Sequence, residues 1–304
     1  MSISLGSTNF GSIYLGSTKI GAAYLGSVKV YSSKLNLPPY TIRLKFARGV
    51  TPTFELGTAV RVLSSPDNVW DLTYQNSNWQ YLVSGQSGLI EVLGANTSSV
   101  TVMDDLFEGC GDLVSLQLFD TSAVTSMARM FEECEDLTSL PLFDTSAVTN
   151  MANMFWRCHK LTSVPLFDTS AVTNMSRMFY QCYRLTSVPV FDTSAVTSLA
   201  SMFYQCTSLT SAPLFNTSSV TSMYSMFEEC SSLASVPLFN TSSVDEVSYM
   251  FRNCENVESG ALALYQQMST QAAPPSSYSG CFLNCGSATE TGQAELAQIP
   301  SDWK

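Results

Sequence analysis

The chain has 304 residues, of which 45% are hydrophobic, 11% aromatic and only 13% charged, and its formal net charge is −11. This composition excludes intrinsic disorder, and the acidic balance argues against nucleic-acid binding, which needs a basic surface. No apolar run approaches the roughly 18 residues of a membrane span. The start, Met1–Gly6, lacks the basic and apolar regions of a signal peptide. A single histidine, His159, leaves little room for imidazole chemistry.

The first 34 residues contain a ten-residue repeat that differs in kind from the rest of the chain. Leu5-Gly6-Ser7-Thr8 recurs as Leu15-Gly16-Ser17-Thr18 and as Leu25-Gly26-Ser27-Val28. Gly-Ser pairs between short apolar runs are typical of turns that join short strands. The segment has too few apolar residues to form a core alone. Residues 1–34 are therefore predicted to be a β-rich arm for docking onto an assembly or for oligomerisation.

Residues 35–88 are predicted to form a small β unit and the N-terminal cap of the repeats that follow. Residues 40–46 alternate between apolar and polar side chains, which is the pattern of a half-buried strand, and residues 59–63 are a second candidate strand. Val83 lies 24 residues before Phe107, the first phenylalanine of a repeated column. This spacing indicates a degenerate first coil, as solenoid caps require.

Residues 89–300 are built from a 24-residue repeat. The cysteine column consists of Cys110, Cys134, Cys158, Cys182, Cys206, Cys230 and Cys254, and Cys285 follows in a degenerate final repeat. Phenylalanines and methionines keep the same period. A period of this length indicates a solenoid, in which stacked coils bury a continuous core that one coil could not form. The last residues, 301–304, are predicted to be a tail.

Within one repeat, the apolar spacing predicts a helix followed by a short strand. Val148, Met151 and Phe155 would lie on one face of a helix of about three turns, and residues 161–166 fit the strand of a leucine-rich repeat. Pro165 removes a ladder donor, which predicts short or irregular pairing. The predicted fold is an α/β repeat: a leucine-rich-repeat solenoid of about eight 24-residue coils, preceded by a small β unit and an N-terminal β-rich arm.

The unit Phe-Asp-Thr-Ser-x-Val-Thr-x-Met-x-x-Met-Phe-x-x-Cys-x-x-Leu resembles the BspA-like leucine-rich repeat family of bacterial surface proteins. The resemblance covers residues 89–300, and the motif recurs seven times. It implies adhesion or binding and not catalysis; typical surface members carry export signals, and none is expected here. The Leu-Gly-Ser-Thr repeat of residues 5–28 resembles leaders of phage and prophage proteins of gut bacteria.

The invariant polar columns have structural interpretations and metal-binding alternatives. With one histidine and no Cys-x-x-Cys pair, a zinc site is not expected, and the cysteine column is predicted to consist of buried, reduced thiols. Cys281 and Cys285 are the alternative disulfide pair. A column shared by aspartate and asparagine, such as Asp168 and Asn216, fits turn capping, with a weak cation ladder as the alternative. No cofactor and no metal are predicted.

The columns beside the cysteine vary between repeats and are predicted to face outward. In the central repeats they hold aromatic and cationic residues of the kind enriched at binding hot spots. Acidic residues flank them: Glu132, Glu133, Glu228 and Glu229. The predicted ligand-binding patch comprises Trp156, Arg157, His159, Lys160, Tyr180, Tyr183, Arg184 and Tyr204. Drift among exposed loops, with His159 simply solvated, is the alternative interpretation.

Trp156, Tyr180 and Tyr204 occupy one column of this patch. Stacked coils would place them as a flat aromatic strip with steps of about 5 Å. Such a strip suits a sugar ring, and cationic neighbours such as Arg157 suit a carboxylate. The strand face around Ser163 and Pro165 is the second candidate surface.

The sequence offers no nucleophile elbow, phosphate loop or zinc motif, so an enzyme is not expected. The predicted function is non-enzymatic recognition or adhesion. The arm, residues 1–34, would attach the chain to an assembly, a phage virion, and the solenoid would bind a bacterial surface glycan or protein. The alternatives are a BspA-like cell-surface adhesin and a structural spacer or decoration protein without a ligand. The expected location is the virion or the bacterial cell surface, without nucleic-acid binding or membrane insertion, and a homo-oligomer is an open alternative.

Overall fold

The computed structural model describes residues 37–62, 65 and 67–304, together with four short strands before residue 32. These strands form two antiparallel pairs: β1 (Ile13–Leu15) pairs with β2 (Thr18–Ile20), and β3 (Ala22–Leu25) pairs with β4 (Val28–Tyr31). The rest of the predicted arm lies outside the described residues. Its role in docking therefore stays a prediction.

A five-stranded sheet follows, in the order β6-β7-β5-β8-β9. Its strands are β5 (Thr41–Phe46), β6 (Thr58–Arg61), β7 (Asn68–Thr73), β8 (Leu89–Asn96) and β9 (Ser115–Leu116). The first four strands pair antiparallel, and β9 joins β8 in parallel. Ile42, Leu44 and Phe46 are buried, as the alternation predicts. The sheet thus runs without interruption from the small β unit into the first coils.

The helix predicted for each coil is wrong. Residues 152–157 form consecutive turns, in which Asn153 and Arg157 adopt left-handed backbone conformations with φ of 57° and 59°. An α-helix of L-residues does not accommodate such residues. The backbone N–H of Asn153 donates to the carbonyl of Ser176 in the next coil at 2.9 Å, and that of Arg157 donates to Tyr180 at 2.8 Å. Bonds between coils therefore replace the i to i−4 bonds of a helix.

The strand predicted at residues 161–166 is also wrong. In the coils that the structure describes, β9 is the one strand assigned at the equivalent position. Thr186 N–H donates to the carbonyl of Thr162 at 3.2 Å, and Pro165 has no N–H to continue a ladder. Leu166 is 60% exposed and not packed inward. The irregular pairing that the prolines predict is therefore present without a regular strand.

Two columns of phenylalanine form the centre of the core. Phe179 is fully buried between Phe155 and Phe203, with ring centroids 5.6 and 5.5 Å away and interplanar angles of 12° and 9°. Phe191, from the second column, lies 6.4 Å from Phe179. Val148 and Met151, which predicted the helix, are fully buried too. The turns therefore keep the apolar face that the spacing indicates.

The cysteine column lies in the same core. All nine cysteines are buried and free, including Cys281 and Cys285, so the alternative disulfide between these two is not formed. In the column, each thiol donates to a carbonyl of the preceding coil, as Cys158 Sγ does to Phe131 at 3.1 Å. Burial raises the pKa of Cys110 to about 12, which favours the protonated thiol that this bond requires. The prediction of buried, unbridged thiols is confirmed.

Degenerate coils close both ends of the solenoid. At the N-terminal end Trp79 is fully buried and its backbone N–H donates to the carbonyl of Val102 at 2.9 Å. The C-terminal end carries α1 (Ala261–Thr270), α2 (Glu290–Leu296) and a 3-10 helix, Ser301–Trp303. Residues 301–304 are not the predicted tail, because Trp303 is buried and stacks on Tyr278 at 4.3 Å. None of the helices in the described part of the chain is long and apolar enough to span a membrane.

Candidate functional site

The predicted aromatic column is real, but it is not a flat strip. The rings of Tyr180 and Tyr204 stack with centroids 4.4 Å apart and an interplanar angle of 10°. Trp156 meets Tyr180 edge-on, at 5.7 Å and 89°. All three side chains are half-buried. Because the Trp156 ring is perpendicular to the tyrosines, the column forms a wall with a corner instead of a continuous platform.

This wall borders a pocket of about 570 Å³. That volume is within the range of small-molecule sites. The residues around it come from four successive coils: Trp156, Arg177, Tyr180, Ser201, Tyr204, Tyr224, Ser225 and Glu228. The three residues of the predicted column therefore lie together at one concave site.

Substitutions within the repeat create the pocket. Ser201 and Ser225 occupy a repeat position whose backbone is left-handed, with positive φ, in each coil. The same position holds larger residues, Asn153 and Arg177, in the preceding coils. These two serines are buried, at 5% and 2% exposure, and leave space above them. Tyr224 stands where Ala200 stands one coil earlier, and it is 41% exposed. Two small residues and one added aromatic ring thus interrupt an otherwise regular surface.

The charged groups of the pocket differ in their partners. Glu228 is buried; its carboxylate accepts a hydrogen bond from Ser225 Oγ and lies 3.2 Å from Nη1 of Arg252. Desolvation raises the pKa of Glu228, while Ser225 and Arg252 act in the opposite direction. Arg177 is exposed, and no acidic side chain of the described residues pairs with it.

The tyrosine hydroxyls supply neutral polar groups to the same site. Burial raises the pKa of Tyr204 to about 12, and burial raises the pKa of Tyr180 as well. Both phenols are therefore protonated at neutral pH, and each can donate and accept hydrogen bonds. The pocket combines aromatic faces, hydroxyls and one unpaired guanidinium.

The other predicted patch residues lie outside this pocket, and two of the cations are not free donors. Arg157 pairs with Glu133 at 2.6 Å, and its guanidinium lies 5.4 Å from the Trp156 ring. Lys160 pairs with Asp136 at 2.7 Å. The expectation that both cations edge the aromatic column as ligand donors is wrong, because acidic residues of the preceding coil already neutralise them.

His159 and Tyr183 form a separate row. Their rings stack at 4.9 Å, and His159 Nδ1 lies 3.6 Å from Glu135 Oε2. Arg184 is exposed in the next column. None of these three residues lines the pocket.

A polar ladder runs beside the aromatic wall. Arg157 Nε donates to Gln181 Oε1 at 3.0 Å, Gln181 Nε2 donates to Gln205 Oε1 at 2.7 Å, and Gln205 Nε2 donates to Glu229 at 2.6 Å. Together with the Arg157–Glu133 pair, the ladder joins five coils. It holds side chains of the variable column against one another instead of presenting them to a ligand.

The variable columns do not all face outward, contrary to prediction. Glu132 and Glu228 share the column of Trp156, yet each is only 6% exposed. Glu132 Oε2 lies 3.6 Å from Arg129 Nε without a hydrogen bond. Burial, with Glu108 adding to it, raises the pKa of Glu132 to about 7. Glu132 and Glu228 thus lie buried at the two ends of the aromatic column and do not form an exposed acidic border.

The aspartate column caps turns. Asp168 Oδ1 accepts hydrogen bonds from the N–H and Oγ of Ser170 at 3.1 and 2.7 Å, and Asn216 Oδ1 does the same with Ser218 at 3.2 and 2.8 Å. Asparagine and aspartate are therefore equivalent here. Within the described residues, no group of three or more His, Cys, Asp or Glu side chains is arranged to hold a metal ion.

Four pocket residues escape prediction from the variable columns: Arg177, Ser201, Tyr224 and Ser225. The signal that could have found them is a break in a neighbouring column. Alanine or serine precedes the methionine-phenylalanine segment by two residues in the coils before Tyr224, so a tyrosine there is an addition. Ser201 and Ser225 show the opposite change, because each replaces the larger side chain that earlier coils carry at this position.

The solved structures that are similar to this chain include two leucine-rich repeat proteins. A leucine-rich repeat protein from Eubacterium ventriosum is 17% identical, with a TM-score of 0.43 over 66% of this chain and 62% of that one. A leucine-rich repeat protein from T. pallidum is 15% identical, with a TM-score of 0.41 over 67% of this chain and 88% of that one. The match thus spans less than two thirds of the Eubacterium protein. The fold assignment rests on the stacked coils themselves.

No curated protein matches the chain. One family model matches the chain, and the description of that family names no reaction. It matches residues 80–188 and again residues 159–265, which together make up more than half of the chain and include every residue of the pocket. The chain belongs to the family described as "Mycoplasma protein of unknown function, DUF285", a family of BspA-like surface repeats.

Proposed function

We propose that the chain is a non-enzymatic recognition protein and that the pocket between Trp156 and Glu228 is its ligand site. The observation that carries the proposal is the pocket of about 570 Å³ where aromatic residues of three successive coils, Trp156, Tyr180 and Tyr204, meet two buried serines. Rigid aromatic side chains lose little conformational entropy on binding, which suits them to recognition.

The chemistry of the pocket favours a sugar as the ligand. Because Tyr180 and Tyr204 stack on each other, the pair offers its ring edges, and Tyr204 also offers the face that does not contact Tyr180, to the C–H groups of a sugar ring; the protonated hydroxyls offer donors and acceptors. Trp156, set perpendicular, adds a second apolar wall. Ligand sites commonly combine apolar side chains with a few polar groups that fix the orientation of the ligand.

The setting of this recognition is a surface. BspA-like repeats are typical of surface proteins, and a pocket on the side of a solenoid stays open to large partners. We therefore propose that the chain is located on a virion or on a bacterial surface. Residues 1–34 would bind it to its own particle or cell, and the ligand would be a bacterial surface glycan. A spacer without a ligand is the alternative.

A variant that fills the pocket separates these two. Ser201→Tyr puts tyrosine into a left-handed column that already accepts Tyr249, so the coil should keep its fold. Thr207→Tyr, in the same coil but outside the pocket, copies Tyr183 and is the matched control. Binding to whole bacterial cells, measured with the purified full chain, should fall at least tenfold for Ser201→Tyr only. Equal binding by both variants would contradict the pocket, and no binding by the wild type would favour a spacer.

The attachment role has its own test. A chain that lacks residues 1–34 should keep the melting temperature of the full chain, because this segment has too few apolar residues to form a core of its own. It should also keep cell binding but no longer associate with its particle or cell in a co-sedimentation assay. A large loss of melting temperature would instead make the segment part of the core.

A further inference from the structure

Arg177 differs from the other arginines of this face in having no acidic partner. Arg129 lies 3.5 Å from Asp105, and Arg252 lies 3.2 Å from Glu228. Arg157 is paired with an acid as well. In a chain of net charge −11, Arg177 thus lies at the edge of a pocket without a counter-ion among the described residues.

No carboxylate of the described residues forms an ion pair with that guanidinium. Glu228 is the acid that lines the pocket, but its two carboxylate oxygens are occupied by Ser225 and Arg252. Arg177 lines the same pocket as the stacked rings of Tyr180 and Tyr204. The pocket therefore presents one guanidinium that has no ion-pair partner among the described residues, next to an aromatic wall. Glu229, which accepts a hydrogen bond from Gln205, adds negative charge near Tyr204.

We propose that Arg177 makes the pocket selective for sugars that carry a carboxylate, such as uronic or sialic acids. The inference rests on the proposed function and names the ligand class of the same site. The sugar ring would lie against Tyr180 and Tyr204, and its carboxylate would accept two hydrogen bonds from the guanidinium. The planar fork of arginine matches a carboxylate in this bidentate way, whereas lysine offers only a point charge.

The experiment compares matched acidic and neutral glycans on an array. The probes are glucuronides, galacturonides and sialosides beside their carboxyl-reduced or desialylated forms, and the proteins are full-length wild type, Arg177→Met and Arg177→Lys. Arg184→Met is the control, because Arg184 is also exposed and unpaired, lies in the same coil and is outside the pocket. Both Met variants remove the same charge from the chain.

Wild type and Arg184→Met should prefer the acidic member of a pair, and Arg177→Met should lose at least tenfold in affinity for it while keeping its affinity for the neutral form. Arg177→Lys should recover only part of the preference. Equal loss in both Met variants, or no preference in the wild type, would overturn this inference and leave the pocket as the ligand site. Absence of binding to every glycan would overturn the proposed function as well.

Discussion

Tyr180 and Tyr204 are 24 residues apart in the sequence, yet their rings stack at 4.4 Å. The contact follows from the repeat: equivalent positions of successive coils become neighbours, as the N–H of Gln181 donating to the carbonyl of Tyr204 at 2.8 Å shows for the backbone beside them. A one-dimensional stack can therefore build a binding wall by changing one column, without altering the core that the other columns form.

Phe179→Ala should destabilise the chain by roughly 3–5 kcal/mol, because the ring is fully buried between Phe155 and Phe203 and its loss leaves a cavity. Denaturant unfolding followed by circular dichroism measures the change. Tyr183→Ala in the same coil, at a half-buried position, is the control and should cost about 1 kcal/mol or less. A cost below about 1 kcal/mol for Phe179→Ala would contradict the stacked core.

The cysteines should resist alkylation in the folded chain. Burial raises the pKa of each thiol in the column, such as Cys182 and Cys206, so little reactive thiolate exists at pH 8. Mass spectrometry after iodoacetamide treatment should show no modification of the native chain and nine modifications in denaturant. Rapid native labelling, or disulfides between successive coils, would show that the column is not a buried thiol ladder.

The left-handed positions should discriminate sharply between side chains. Asn153 has φ 57°. Asn153→Val should destabilise the chain by about 1–3 kcal/mol, because a β-branched residue is strained there, whereas Asn153→Gly should change stability by less than about 1 kcal/mol. Both variants lose the same amide, so a difference in unfolding free energy reports the backbone. Equal effects would indicate a helix at this position after all.

Glu132 should make stability depend on pH. Its pKa is raised from 4.5 to about 7 by burial, with Glu108, Glu133 and Asp105 adding and Arg129 opposing. The folded chain therefore holds a proton that the unfolded chain releases, and this contribution is complete below about pH 4.5 and is lost as pH rises through 7.

Unfolding free energies of wild type should thus fall between pH 5 and pH 8, relative to Glu132→Gln, by on the order of 2 kcal/mol. Glu133→Gln serves as the control, since Glu133 is half-buried and paired with Arg157. Parallel pH profiles for wild type and Glu132→Gln would show that the carboxyl is ionised and solvated.

The period of the sequence predicts which residues become neighbours but not the backbone that connects them. Phe155, Phe179 and Tyr180 are placed correctly because the register of 24 is unambiguous. The spacing of Val148, Met151 and Phe155 fits consecutive turns as well as a helix, since both return a side chain to one face every three to four residues. Gly85 and Gly109, which share the positive-φ column of Arg157, carry the signal that a helix is absent.

The pocket is less predictable than the column that borders it. Its aromatic wall follows from the variable positions, but its depth depends on Ser201 and Ser225, which are ordinary residues in any loop. Whether a cation is free also depends on the neighbouring coil. Arg157 has an ion pair because Glu133 lies one period before it, whereas Asn153 lies one period before Arg177.

The most direct test of the central claim is the affinity of Tyr224→Ala for whole bacterial cells. Ala200 and Ala152 hold the equivalent position in earlier coils, and Tyr224 is 41% exposed, so the variant should fold with an unchanged melting temperature. Because the tyrosine lines the pocket, its removal should weaken binding at least tenfold, whereas Tyr183→Ala should bind as the wild type does. Wild-type affinity in Tyr224→Ala, or an equal loss in Tyr183→Ala, would contradict recognition through this pocket.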